Sequence, residues 1–396
     1  MVRQPKYDYK KRPFIVIWET TQACDLQCRH CRAESQTLHD PAAMSFKESC
    51  RFLDQVVALG EPQPMFIFTG GDPFKHPRLF DLLNYASQLG LRTAVSPSAT
   101  PLLTRENLVR CQERGVRSIS LSLDGSNAAL HDDFRQVAGS FDLTVNGWKA
   151  AQDLGLKVQI NTTVTRYNLF DLPEIFRLVS EMGAMTWSVF FLVPTGRGRA
   201  EDEVSPENYE AVLNFLYDVS KYISTKTTEG HHYKRVVIQR AALDKRGIAP
   251  ESSMQLNSTY FHLKEHTQRV VAEQQLVPVG QNIRRKPMNI NAADGFVFVS
   301  LKGDVFPSGY LPLKAGNVLE QSLGDIYQNS PLFKQMRDKD LLLGRCGQCE
   351  FKQVCGGSRS RAYAVTGDVM AEEPFCTYQP GSFPYQEEIA ELAGLG

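Results

Sequence analysis

Apolar and β-branched residues gather into short runs at 14–20 (FIVIWET), 65–71 (MFIFTGG), 92–98 (RTAVSPS), 118–125 (SISLSLDG), 157–165 (KVQINTTVT) and 186–193 (TWSVFFLV). Most are near-continuous, the pattern of parallel strands covered by helices. Between them, stretches of helical period lie near 45–59, 78–89, 104–114, 141–154, 171–182 and 205–222. Ser45 with Glu48 reads as a capping box, and Gly60, Gly90, Gly115, Gly155 and Gly183 stand where these helices should end. Six βα units in series predict a parallel sheet with right-handed crossovers, as an open doubly wound sheet or a partial barrel. In either case functional residues belong at the C-terminal ends of the strands.

Beyond residue 222 the pattern changes. Residues 223–287 are polar and carry His231, His232, His262 and His266 with a basic knot at Arg284, Arg285 and Lys286, as in a linker with helices or a substrate-facing insertion. GFVFVSLKGDVFPSG (295–309) reads as a β-hairpin turning at Lys302-Gly303-Asp304, with a helix following near 322–338. The expected organisation is an extension over 1–13, the βα core over 14–222, a linker or insertion over 223–287, a small α+β domain over 288–380 and a tail over 381–396.

Lys and Arg total 44, as do Asp and Glu, so there is no basic excess to suggest a nucleic-acid partner. No apolar run is long enough to cross a bilayer, and the basic N-terminus lacks a signal core, so a cytoplasmic protein is expected. Nine cysteines in that compartment point away from disulfides. Seven of them form two groups, Cys24, Cys28 and Cys31, then Cys346, Cys349, Cys355 and Cys376. Cys50 and Cys111 sit in helix-like stretches and read as small core residues.

The first group, C-x3-C-x2-C, follows the first strand. Three thiolates so close in sequence can converge on one soft metal centre. They are one short of the four that close an iron–sulfur cluster, which leaves an iron open to substrate or cofactor. A zinc site or unconnected thiols are the alternatives, and His30 is the one nearby residue that could complete zinc. The second group, C-x2-C-x5-C-x20-C, has enough thiolates for a closed cluster or a zinc site, and spacing alone does not separate these.

On the first motif the chain resembles the radical S-adenosylmethionine (SAM) enzymes, whose signature is this spacing with an aromatic-type residue, here His30, before the last cysteine. The resemblance implies a partial (β/α)6 TIM-like barrel. It implies a 4Fe–4S cluster on Cys24, Cys28 and Cys31 whose fourth iron takes the amine and carboxylate of SAM. Reductive cleavage then yields a 5′-deoxyadenosyl radical that abstracts hydrogen, with a flavodoxin- or ferredoxin-like electron donor. Gly70-Gly71-Asp72 is similar to the family's GGE-P motif with Asp in place of Glu: glycines permit close backbone approach, and the acid can accept from an ammonium. Ser122 and Arg135 are implied near the SAM carboxylate, Asp124 on the same cofactor and Ser98 near its ribose. Asn161 and Thr163 are implied on the same cofactor, with Leu192 and Val193 over its adenine.

The second group resembles the SPASM extension, which normally holds two auxiliary clusters. Here Ser308 stands at the hairpin cysteine position and Arg359 four residues after Cys355. One auxiliary 4Fe–4S cluster is therefore expected, on Cys346, Cys349, Cys355 and Cys376, making two clusters in all. FFLVPTGRGRA (190–200) and GDVFPSGYLPLKAGNV (303–318) are similar to the heme-synthase and d-type heme branch. Its members act on tetrapyrroles, for example oxidatively decarboxylating propionates to vinyls. That chemistry must dispose of an electron, and one missing auxiliary cluster removes one route. Two further functions stay open: a maturase acting on a ribosomally made peptide, for whose usual recognition domain the first thirteen residues leave no room, and a non-catalytic iron–sulfur electron-transfer or sensing protein. His262 and His266 have the i, i+4 spacing to share a helix face and ligate heme, but all four histidines read more simply as solvated. Tyr310 and Tyr363 read equally as substrate contacts or core aromatics.

Overall fold

The computed structural model describes residues 8–33, 35–279 and 289–393. The basic knot at 284–286 lies outside the described residues. The strands are β1 (Ile15–Glu19), β2 (Met65–Thr69), β3 (Arg92–Val95), β4 (Ser118–Ser122), β5 (Lys157–Val164), β6 (Thr186–Phe191), β7 (Thr225–Thr228), β8 (Phe296–Val299), β9 (Asp304–Phe306) and β10 (Gly316–Asn317). They form one sheet in the order β10-β9-β8-β1-β2-β3-β4-β5-β6-β7. β1 to β7 run parallel in chain order, and β8 pairs parallel with β1 on its other side, Ile15 opposite Phe296. The six expected strands are present, and the parallel array is longer by one strand at each end. Among the described residues β7 and β8 are not hydrogen-bonded, so the ladder is open.

Side chains alternate across each strand. Val16 and Trp18 of β1 and Phe66 and Phe68 of β2 are buried with Phe52, while Ile15, Ile17 and Ile67 point inward to a cavity. On β4, Ile119 and Leu121 enter the core and Ser120 and Ser122 turn to the cavity. Each large apolar side chain so buried contributes about 1.5–3 kcal/mol. The outer face thus pays for folding, and the inner one is left free to be polar.

Helices cover that outer face at Phe46–Val57, Leu79–Gln88, Arg105–Glu113, Ser140–Asp153, Leu172–Glu181 and Pro206–Val219, all where periodicity places them. The capping box forms: Glu48 N–H donates to Ser45 Oγ (3.3 Å) and Ser45 N–H to Glu48 Oε2 (2.8 Å). A further helix, Ala128–Arg135, was not anticipated.

The segment from 223 begins by adding β7 to the sheet and continues as helices Tyr233–Arg246 and Ser258–Glu273. Their charges are partly internal, since Arg235 is buried against Glu210 and Arg240 pairs with Asp218 at 2.6 Å. The hairpin turns at Gly303 with φ 82°, a left-handed conformation that suits glycine. The single helix expected over 322–338 is two, Leu323–Asn329 and Pro331–Arg337, broken at Ser330-Pro331 because proline supplies no N–H. A last helix, Gln386–Ala393, leans on Tyr233–Arg246 through Lys245–Glu391 (2.8 Å). No helix among the described residues is long and apolar enough to cross a membrane.

Arg361, fully buried, ties the C-terminal unit to the core. It pairs with Glu203 (3.2 Å) and Glu373 (3.4 Å) and donates to the carbonyls of Leu192 and Glu229, both at 2.9 Å.

Candidate functional site

The loop leaving β1 carries Cys24, Cys28 and Cys31 and is stitched into the sheet by backbone bonds. Thr20 N–H donates to Thr69 O (2.8 Å), Gly71 N–H to Thr21 O (2.7 Å) and Asp72 N–H to Ala23 O (2.7 Å). Gly70 and Gly71 make this contact possible. A Cβ on Gly70 would lie 2.3 Å from Thr21 O, and one on Gly71 2.5 Å from Ala23 O. The loop's far side is closed by Cys24 N–H donating to Gln36 O at 2.8 Å. Arg32, paired with Glu19 at 2.9 Å, lies over the Phe298 ring and joins the loop to β8.

All three cysteines line a cavity of about 430 Å³, within the usual range for small-molecule sites. Inward residues of seven of the eight parallel strands, with Ser96, Pro97 and Ser98 just past β3, line it, so the open sheet still curls around one chamber. His30, Gly70, Gly71, Ser98, Ser122, Arg135, Asn161 and Thr163 reach it. Ser98 Oγ donates to Gly71 O (2.6 Å) and lies 3.6 Å from Cys24 Sγ. Leu26 N–H donates to Cys24 Sγ at 3.4 Å, and Arg135 Nη1 to Cys28 Sγ at 3.3 Å. Donors aimed at sulfur suit thiolate ligation. Burial pushes the Cys24 thiol up, with these hydrogen bonds working against it.

Asp72, Asp124, Leu192 and Val193 lie behind the cavity wall. Asp72 accepts from Thr100 Oγ1 (2.6 Å) and Phe74 N–H (3.1 Å), and burial raises its carboxyl to about 6. Asp124 accepts from Thr163 N–H (2.7 Å) and pairs with Arg135, holding the guanidinium that reaches Cys28. Leu192 and Val193 are buried, with the Leu192 carbonyl taken by Tyr209 and Arg361. His30 stacks on Phe134 with centroids 4.6 Å apart, and burial first, then Arg135 and Arg197, keep its ring neutral.

Sequence reasoning missed Arg197. Its N–H donates to Cys31 O (2.8 Å), its Nε to Cys28 O (3.0 Å) and its Nη1 to Ser35 Oγ (2.9 Å). One residue thereby fixes the loop at two cysteines, Cys31 through its backbone and Cys28 through its side chain. The signal was the glycines beside it: a Cβ on Gly196 would lie 2.4 Å from Cys31 O, as at a close backbone approach. Arg197→Ala is expected to lower iron retained after reconstitution and to cut SAM cleavage about 10–100-fold, the usual cost of losing a ligand's support. Iron assay and quantification of 5′-deoxyadenosine check this.

Cys346, Cys349, Cys355 and Cys376 line a second, smaller cavity with His232, Arg235 and Arg345. Glu373 N–H donates to Cys346 Sγ (3.2 Å) and Gly357 N–H to Cys355 Sγ (3.4 Å). Arg235 Nη2 lies 3.9 Å from Cys376 Sγ. Amide donors and cations around four sulfurs fit a negatively charged iron–sulfur group. Ser308 Oγ donates to Glu229 Oε1 (2.9 Å), and Arg359 donates to the carbonyls of Val369 (2.8 Å) and Ala371 (2.7 Å) while its Nη2 lies 4.0 Å from Cys346 Sγ. His262 and His266 stay away from both cavities, His266 pairing with Glu174 at 2.8 Å. Of the other histidines read as solvated, His231 lines the large cavity and His232 is buried beside the small one. Tyr310 lines the large cavity, whereas Tyr363 packs against the core.

Residues 18–179 match the radical SAM superfamily, and residues 291–350 match SPASM, an iron–sulfur cluster-binding domain. The AdoMet-dependent heme synthase of Methanosarcina barkeri is 38% identical over 371 residues, covering 93% of this chain and 97% of that protein. The AdoMet-dependent heme synthase of Oleidesulfovibrio alaskensis is 38% identical over 374 residues, covering 93% of this chain and 88% of its own. Streptococcus suis SuiB, solved bound to S-adenosylmethionine, shares the fold with a TM-score of 0.63 at 17% identity, over 93% of this chain and 78% of that one. The chain belongs to the radical SAM superfamily and is an enzyme that uses S-adenosylmethionine and iron–sulfur chemistry.

Proposed function

We propose that this enzyme removes propionate carboxylates from an iron tetrapyrrole, converting them to vinyl groups. The observation that carries the reading is the 38% identity to AdoMet-dependent heme synthase across nearly the full length of both chains. On this reading Cys24, Cys28 and Cys31 hold a 4Fe–4S cluster, which supplies reductive cleavage of SAM to a hydrogen-abstracting radical. Arg135, held by Asp124, balances charge at Cys28 and faces the SAM carboxylate with Ser122. Asn161, Thr163 and Ser98 offer the polar inner wall for the rest of that cofactor. The peptide stretch around Arg197 keeps the cysteine loop fixed while SAM and substrate exchange.

Hydrogen abstraction from a propionate, followed by loss of CO2, leaves one electron for each vinyl formed. Cys346, Cys349, Cys355 and Cys376 would hold one auxiliary 4Fe–4S cluster, which would supply an acceptor for it. The four cysteines line one small cavity, and the match of residues 291–350 to an iron–sulfur cluster-binding domain favours a cluster over zinc. A flavodoxin- or ferredoxin-like protein of the cytoplasm is the proposed electron donor.

The test is anaerobic incubation of the reconstituted enzyme with SAM, reductant and an iron porphyrin that retains all its propionates. One CO2 and one 5′-deoxyadenosine per vinyl are expected, followed by mass spectrometry. An unchanged porphyrin alongside SAM cleavage would overturn the reading and return attention to peptides, the substrate class of the SuiA-bound form of SuiB.

A further inference from the structure

A chamber that receives an iron tetrapyrrole needs something to fix the metal. Iron porphyrins are held through axial side chains, histidine foremost, with tyrosine, cysteine and methionine as the other choices. Outside the cysteine loop, the lining residues of these types are His231, Tyr233 and Tyr310. Tyr233 Oη is occupied by Leu216 O (3.3 Å) and Thr225 Oγ1 (3.3 Å). Burial pushes the Tyr310 hydroxyl well above its ordinary value, which keeps it a phenol and a poor iron ligand. His30 belongs to the cysteine loop and is stacked on Phe134.

His231 is different. It lies just past the C-terminal end of β7, on the catalytic side of the sheet. It lines the cavity, and among the described residues no hydrogen-bond partner engages its Nδ1, so no protein contact commits the ring to another task. Burial, reinforced by Lys234, Arg359 and Lys339, holds the imidazole neutral, the form that binds metal.

The backbone presenting it is held on both sides. Glu229, at φ +57°, has its carboxylate taken by the hydroxyls of Ser308 and Ser360 at 2.9 Å and by that of Ser358. A Cβ on Gly230 would lie 2.5 Å from the Phe191 ring, so this turn cannot shift inward. Lys234 lines the same wall. Its ammonium donates to Ile290 O at 2.7 Å and has further protons to offer a carboxylate. A metal ligand and a cation for a propionate thus stand together at the start of one helix.

We infer that His231 is the axial ligand that seats the iron of the tetrapyrrole substrate. The inference rests on the tetrapyrrole reading above. It adds a use for Ser308, whose hydroxyl bonds the Glu229 carboxylate two residues before His231.

The test is anaerobic titration of the reconstituted protein with that iron porphyrin and with its metal-free counterpart, read by absorption and electron paramagnetic resonance. The wild type should give a histidine-ligated iron spectrum. His231→Ala should lose it, with the Kd for the iron porphyrin rising about tenfold or more. Its Kd for the metal-free porphyrin should stay unchanged, and added imidazole should restore the spectrum. An iron spectrum identical in His231→Ala, or a wild-type spectrum typical of water ligation, would overturn the inference while leaving the decarboxylation reading intact. A wild-type spectrum without histidine ligation overturns the inference even if the variant fails to fold. No binding of either porphyrin by the wild type would instead remove the tetrapyrrole reading itself.

Discussion

Cys24→Ala, Cys28→Ala and Cys31→Ala are each expected to abolish formation of 5′-deoxyadenosine from SAM and dithionite. Loss of a supporting contact around a metal ligand costs about 10–100-fold, so loss of a ligand should exceed about a hundredfold. Each variant should also retain about four of the roughly eight iron atoms expected of two 4Fe–4S clusters. The fold should survive, because the loop's position rests on backbone bonds to Thr69, Gly71 and Asp72, and β1 on the packing of Val16 and Trp18. Cys111, buried in the core away from both cavities, serves as the contrasting site. Cys111→Ala should cost some stability and no iron. Retained SAM cleavage in a Cys24, Cys28 or Cys31 variant would remove the assignment, and about twelve iron atoms in the wild type would contradict a single auxiliary cluster.

The second large effect is on stability. Arg361→Ala is expected to destabilise the protein by about 3–5 kcal/mol, the usual result of stripping one partner from a buried ion pair. Glu203 and Glu373, both almost fully buried, lose their common cation, and the carbonyls of Leu192 and Glu229 lose a donor. Arg361→Lys should recover little, since one ammonium lacks the fork that reaches several acceptors. The deficit should depend on pH. Burial already raises the Glu203 carboxyl, and Arg361 pulls it down. Without that cation its folded pKa rises further above the unfolded value. The folded variant then holds protons the unfolded chain has released, so its stability is lost as pH rises through that folded pKa. Urea unfolding followed by the fluorescence of the buried Trp18, Trp148 and Trp187 should show a larger gap from wild type near pH 8 than near pH 5. A gap independent of pH would mean that lost packing, not stranded carboxylates, dominates.

Much of the core was legible because strands and helices differ in period, and the outer faces of the strands are strongly apolar. β7 was not, because TKTT offers no apolar alternation and, among the described residues, pairs only with β6. The helix Tyr233–Arg246 was hidden by its charges: Arg235 and Arg240 read as solvent-facing until their acids, Glu210 and Asp218, are seen on the neighbouring helix. The same polarity made His231 look solvated. At the site, the cysteine spacing placed the loop correctly at a strand end, and Gly70 and Gly71 do allow a close backbone approach, here to the cysteine loop. Asp72 and Asp124 stand one layer behind the cavity surface, a distinction that a linear pattern does not carry. Arg197 was invisible for a related reason, because its partners lie some 165 residues earlier in the chain.

The pairing of β8 with β1 has a temporal consequence. A chain made from its N-terminal side produces the cysteine-bearing strand well before that strand's outer neighbour, since Ile15 and its partner Phe296 are 281 positions apart. Throughout that interval β1 has a bare edge, of the kind that invites pairing with other chains. Arg32 has no Phe298 ring to rest on until then. The chamber wall beside the cysteines is therefore complete only when the β8–β9 hairpin docks, which ties the assembly of the reactive centre to a segment made long after the cysteines.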